Sequence, residues 1–272
     1  MCALRAHPAA TAAAALAAAL LPALAAPPAP AAELPEAGSA RYWIQEGGAR
    51  RGYEILRWEY PEDGTFRLVR IRQERQRPIA GDYQGVRRIR RIREISEGTL
   101  EGDRAQPQTY ERRTATVFPS ADDYDPETAF EGVEEEVQLR VRFTEDEAAL
   151  EQGEVAAPPS ALDPVSHRWQ VMQQALEGER FERISHQVVN RQGEVEEIAF
   201  RIEGRRTVHT PAGTFRAVRL RRHQPERQRS VRWYMAEGWA GLPVRTVTVR
   251  SAAHAERTRL QRIEAQAQAE EG

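Results

Sequence analysis

Histidine is the side chain best suited to proton transfer and metal ligation near neutral pH. The sequence places one near its start, His7, and five in its body: His167, His186, His209, His223 and His254. It contains no His-Glu-x-x-His pair, no Gly-x-Ser-x-Gly elbow and no glycine-rich phosphate loop. Asp163 and His167 stand four residues apart, so both can project from one side of a helix start, with Ser166 about 100° away around the axis. A hydrolytic triad would need these groups to meet. The simpler reading makes Asp163 a helix cap with an exposed His167 beside it. His186 and His209 fall in strand-like stretches, where a surface position is the default. Asp122-Asp123 and Glu134-Glu135-Glu136 lack the glycine and the ligand spacing of a calcium loop. The single cysteine, Cys2, excludes a disulfide framework and a multi-thiolate zinc site. The residues thus predict no catalytic centre, no metal site and no cofactor.

A second chemistry is the sheltering of a ligand. Val165, Trp169, Met172 and Leu176 recur at spacings of four, three and four, which is one face of a helix. Trp169, Met172, Phe200, Trp233 and Trp239 are the candidate lining of a site for an apolar or amphipathic, lipid-like ligand, because aromatic and methionine side chains make adaptable apolar walls. The alternative is that the same helix face is ordinary core, packed on the concave side of a sheet.

Charge offers a third possibility. All 39 basic residues are arginine, against 41 acidic ones, for a net charge of −2. That balance argues against a nucleic-acid binder, which normally carries a basic excess. The charges are nevertheless segregated. Positions 67–93 hold ten arginines against Glu74 and Asp82, and positions 201–232 hold ten against Glu203 and Glu226. Positions 122–154 hold thirteen acids against Arg140 and Arg142. Exposed arginine rows could meet an anionic envelope component through bidentate contacts and serve a structural or assembly role. They could equally pair with glutamates on adjacent strands of the same sheet.

The elements that must position these residues are mostly strands. Tyr53 to Tyr60 alternates, Pro61-Glu62-Asp63-Gly64 turns, and Thr65 to Arg72 returns, with a change of phase at Val69 that suggests a bulge. Val86 to Ile95 reads as a further strand because β-branched residues dominate its apolar set. Ile198, Phe200 and Ile202 alternate with polar neighbours, and Thr210-Pro211-Ala212-Gly213-Thr214 predicts a three-residue hairpin loop. Phe215–Arg222, Val231–Met235, Val244–Arg250 and Thr258–Ile263 follow as strands. One helix, 164–177, begins at Asp163-Pro164, an N-cap followed by proline at the first helical position, and ends at Gly178. The expectation is a mainly β fold, a single curved antiparallel sheet, half-barrel-like, wrapped around one amphipathic helix.

The amino terminus reads as an address. Arg5 precedes an Ala/Leu-rich run, and Ala23-Leu24-Ala25 is a signal-peptidase pattern, so residues 1–25 are a signal peptide. Residues 26–40 follow as a flexible Pro/Ala-rich leader, 41–263 as one β-rich domain, and 264–272 as a disordered tail. The cleaved chain carries no stretch long and apolar enough to span a membrane, so the expected location is the periplasm.

With these elements placed, the chain resembles the bacterial periplasmic domain-of-unknown-function family three-one-zero-eight. The residues of the likeness are Asp163-Pro164-Val165-Ser166, Thr210-Pro211-Ala212-Gly213-Thr214, and Trp233 followed by Leu242-Pro243-Val244-Arg245, with weaker similarity at Ser96-Glu97-Gly98 and Pro107 to Tyr110. The resemblance implies a secreted, single-domain antiparallel β structure curling around a helix. It also implies a likeness to the half-barrels of lipoprotein-localisation carriers, which hold acyl chains on their concave face. The expected role is a non-enzymatic envelope protein.

Overall fold

The computed structural model describes residues 37–61, 64–76, 88–119, 128–144, 148–150, 153–155, 157–177, 182–224, 229–251 and 254–265. The expected signal peptide, residues 1–25, and the segment 77–87 lie outside these residues. Strands β1 (Ala37–Glu46), β2 (Ala49–Glu59), β3 (Thr65–Arg75), β4 (Ile89–Glu101), β5 (Arg104–Val117), β6 (Glu136–Phe143), β7 (Ala148–Leu150) and β8 (Gly153–Val155) form one meander. Strands β9 (Arg183–Val189), β10 (Val195–Thr210), β11 (Gly213–Gln224), β12 (Arg229–Ala236), β13 (Pro243–Ser251) and β14 (His254–Ala265) form a second. Pairing of β14 with β1 joins the two into one antiparallel sheet with β8 and β9 at its edges.

That topology dictates where the helix goes. The chain must travel from the β8 edge to the β9 edge, and it does so across the concave face as helix α1 (Pro164–Leu176). Leu162, just before the helix, bonds to the free edge of β9, donating to the Gln187 carbonyl at 2.9 Å and accepting from the Val189 amide at 2.8 Å. The turn between β9 and β10 reaches back to the first meander. Arg191 Nε lies 2.7 Å from Glu94 Oε1 of β4, and a Cβ at Gly193 (φ +82°) would stand 2.9 Å from Leu150 of β7. The sheet is therefore barrel-like but open: among the described residues no backbone ladder joins β8 to β9.

The helix starts where the sequence says it should. Asp163 Oδ1 accepts from the amides of Val165 and Ser166 at 2.7 and 3.0 Å, and Ser166 Oγ accepts from the Asp163 amide at 3.0 Å. Ser96 Oγ of β4 donates to Asp163 Oδ2 at 2.6 Å, so the cap is tied to the sheet. On one side of α1, Val165, Trp169 and Met172 pack against Leu56, Trp58 and Leu68, leaving about 10 Å³ between them. The turn after β12 touches the helix backbone directly, since a Cβ at Gly241 (φ +73°) would lie 2.0 Å from the Met172 carbonyl oxygen.

Several expectations change. The helix is not amphipathic with an open polar face: Ser166, His167, Arg168 and Gln170 are buried along with Val165 and Met172, because a connection running through the concave face is enclosed all round. His167 is consequently 3% exposed rather than a surface residue. There is no bulge at Val69, as β3 pairs with β2 and β4 in unbroken register. Instead Arg70 and Arg72 occupy the parity of Phe66 and Leu68, which are buried inward. The 210–213 hairpin closes through two residues, with Thr210 opposite Gly213. Strand β1 begins at Ala37, inside the stretch read as a flexible leader, and Ala40 is fully buried. Strand β14 runs to Ala265, two residues into the expected tail, and α1 ends at Leu176 with Glu177 as its cap.

Candidate functional site

Charged residues at inward strand positions have to be neutralised locally, since an ion removed from water is costly unless paired. Register supplies the partners. Leu56 on β2 stands opposite Arg70 on β3, which stands opposite Glu94 on β4. Arg70 sits between two glutamates, donating to Glu54 Oε2 at 2.5 Å through Nη2 and to Glu94 through Nη1. Glu54 also accepts from Arg168 Nη1 of the helix. Glu94, fully buried, further accepts from the Tyr110 hydroxyl at 3.0 Å and from Arg191 Nε at 2.7 Å. Burial alone would raise both carboxyls. Beside Glu54 the guanidiniums of Arg70 and Arg168 outweigh it, beside Glu94 those of Arg191 and Arg70, and both groups are held far below the usual carboxylate range.

This network forms one wall of a cavity of about 350 Å³ at the amino-terminal end of α1. Six arginines line it (Arg70, Arg72, Arg168, Arg191, Arg222 and Arg229) against Glu54, Glu196 and Glu256. Even with Glu94 counted behind the wall, cations exceed anions. Arg72 is shared by Glu74 and Glu256, and Arg222 lies 3.3 Å from Glu196. Arg168 is less complete. Its residue is 6% exposed, its Nη1 holds Glu54, and its Nε and Nη2 have no acceptor among the described residues. Its guanidinium carbon lies 5.6 Å from the Tyr42 ring centre and 5.9 Å from that of Trp233. Arg229 Nε is likewise buried without an acceptor.

The lining also has an aromatic part. Phe200 and Trp233 meet with ring centres 4.6 Å apart, and His167 stacks 6.1 Å from Phe200. His167 also meets His186 edge-on at 5.3 Å. Burial, then His186 and Arg222, hold the His167 imidazole well below its usual value, and burial with Arg104 pushes His186 down to about 4. Both rings are thus neutral at pH 7. His167 Nε2 and His186 Nδ1 are buried without hydrogen-bond partners among the described residues. Asp163 forms no relay with His167 and Ser166 among the described residues, because it spends its oxygens on Ser96, Ser166 and the helix amides. A second hollow, about 810 Å³, lies between β5, β6 and the β9 edge, with Gln106, Arg142, Gln170 and His186 among its walls.

Of the five residues expected to line a ligand, the structure brings together Phe200 and Trp233 at the cavity. Trp169 and Met172 point to the other side of the helix, into the filled packing with Trp58 and Leu68. Trp169 Nε1 is satisfied there by the Tyr60 hydroxyl at 3.2 Å. Trp239 sits in the turn between β12 and β13, 38% exposed, away from both. Sequence reasoning missed Glu54, Arg70, Glu94 and Arg168. The available signal was parity: Glu54 is in phase with Leu56 and Trp58, and Arg70 with Phe66 and Leu68.

No protein-family model and no curated protein matches this sequence, so the resemblance to family three-one-zero-eight is not confirmed. Solved structures do match. A β-barrel-like protein of the domain of unknown function DUF1849 from Brucella abortus superposes with a TM-score of 0.54 at 8% identity, covering 85% of this chain and 98% of that one. A candidate exported protein with a YmcC-like fold from Bacteroides fragilis matches with a TM-score of 0.32 at 10% identity, over 85% of this chain and 97% of that one. The first likeness shows a shared barrel-like fold and nothing further about activity.

Proposed function

We propose that this protein is an exported, non-enzymatic binding protein of the cell envelope, working in the periplasm and sheltering a small amphipathic ligand between sheet and helix. The observation that carries this reading is the cavity of about 350 Å³ at the start of α1, lined both by the ring pair Phe200 and Trp233 and by fixed arginines. Its volume falls in the range of small-molecule sites, roughly 300–1,000 Å³. Export, and with it the periplasmic placing, rests on the Arg5-to-Ala25 address. Phe200 and Trp233 remain as lining residues, whereas Trp169 and Met172 brace the helix from behind.

The charge blocks give no separate support to an assembly role. Arg67 pairs with Glu59 and Glu97, Arg91 and Arg93 with Glu135 of the acidic stretch, and Arg219 and Arg221 with Glu203. These partners lie in the sheet itself or, for Glu135, just before β6. The test is native mass spectrometry of the protein purified from the exported fraction of its own cell. A non-covalent small molecule that stays with the folded chain and is lost on denaturation is the expected result. Recovery of the bare chain alone, with nothing released into solvent extracts, would contradict the reading.

A further inference from the structure

An arginine in a protein interior normally has its donors engaged, and Arg70 shows the local standard: Nη1 on Glu94, Nη2 on Glu54. Arg168 departs from it. Glu54 occupies only Nη1, the side chain is 8% exposed, and Nε and Nη2 are buried facing no acceptor among the described residues. Those two N–H groups are not an arbitrary pair. Together they form the side-on edge of the guanidinium, whose two parallel donors match the two oxygens of a carboxylate or phosphate. Arg168 lines the cavity, and so does Arg229, whose Nε also lacks an acceptor. The ion pairs around them are already closed: Glu54 and Glu94 each hold two arginines, and Glu256 holds Arg72. The cavity therefore keeps a positive excess, and Arg168 in its wall, beside Phe200 and Trp233, holds two unengaged donors.

We infer that the free edge of Arg168 is an oxyanion seat, and that the ligand is a small organic carboxylate or phosphate whose apolar body lies against Phe200 and Trp233. This rests on the binding reading above and narrows it. Glu54 acts as the positioning residue: by holding Nη1 it fixes the direction of the Nε–Nη2 edge. Arg229 is the second cation within reach of the same space.

The test uses the full chain and four probes: benzoate, phenyl phosphate, inorganic phosphate, and benzamide as the uncharged shape control. Nitrogen-15 spectra of the arginine Nε–H groups are recorded with each, and affinities by calorimetry. Benzoate or phenyl phosphate should shift the Arg168 Nε–H resonance, and benzamide should not. Preference between these two reports whether the seat takes a planar or a tetrahedral oxyanion. Inorganic phosphate binding as well as phenyl phosphate would mean the aromatic wall contributes nothing, which overturns that half of the inference. Arg168→Lys keeps a cation beside Glu54 but offers no paired edge, and it should lose roughly tenfold or more in affinity. Arg67→Gln, on the outer face, should bind as the parent does. The spectrum of the unaltered chain decides the matter even if a variant fails to fold. An Arg168 resonance that none of the anions moves would overturn the inference. If native mass spectrometry still finds a neutral molecule retained, the sheltering role survives without it. If neither is found, both fall.

Discussion

On one side of α1 the inward residues Leu56, Trp58 and Leu68 meet Val165, Trp169 and Met172 and leave about 10 Å³; on the other side Glu54, Arg70 and Arg168 border about 350 Å³. The same strands supply both halves. On β2 the change from Trp58 and Leu56 to Glu54 takes a single step of the inward alternation, and on β3 the change from Leu68 to Arg70 does the same. Hydrocarbon side chains interdigitate to crystal-like density. Guanidinium and carboxylate groups instead fix one another at set distances and angles, and the space they frame stays open to a polar guest. The lesson is that this interior is half core and half receptor, and the boundary is written in which residue type occupies the inward parity.

The largest effect should come from breaking the receptor half. Glu54→Ala leaves Arg70 one partner short and Arg168 with none, and urea unfolding should show a loss of about 3–5 kcal/mol, the usual result of stranding buried charge. Met172→Ala breaks the core half, costing about 2–5 kcal/mol as a cavity opens, while the affinity for benzoate should not change. A variant that lost binding with Met172 would erase the distinction between the halves.

Acid sharpens the comparison through His167 and its neighbour His186. His167 and His186 are held below their ordinary value near 6.5, so the unfolded chain takes up protons before the folded one does. Their contribution to stability is complete above pH 6.5 and declines as pH falls toward the folded value of about 4 for His186. After discounting His186 for its contact with solvent, the decline should be of order 1–2 kcal/mol. Glu54 and Glu94, both lowered, add a further loss only below their ordinary value of 4.5. Urea midpoints measured from pH 7.5 to 4 should therefore fall, and Met172→Ala should shift the whole curve without altering its slope. The smallest effect belongs to the outer face: Arg67→Ala, at a partly exposed pair, should cost less than about 1 kcal/mol by the same assay.

Local features of the fold were legible in the sequence. Asp163-Pro164 caps α1, β2 and β3 pair as the expected hairpin, and the alternation at Ile198 to Ile202 marks β10. The pairing of arginine rows with glutamates inside the sheet was also one of the readings open from charge alone. What the sequence hid was non-local. Nothing near Ala37 or Ala265 announces that β1 and β14 lie side by side, and without that pairing the helix cannot be recognised as an edge-to-edge connection buried on every side. His167 was misplaced for this reason. The apparent change of phase at Val69 arises because alternation is ordinarily judged by apolar residues, whereas here the inward set changes from hydrocarbon to ion, at Arg70 and Arg72, within one strand.

The most direct test is a crystal of the full chain grown with benzoate. The account predicts difference density for a carboxylate against Nε and Nη2 of Arg168 with its ring beside Trp233, and the packing of Trp169 on Trp58 and Met172 unchanged. Density lodged instead between Trp169 and Met172, with those side chains pushed apart, would contradict it.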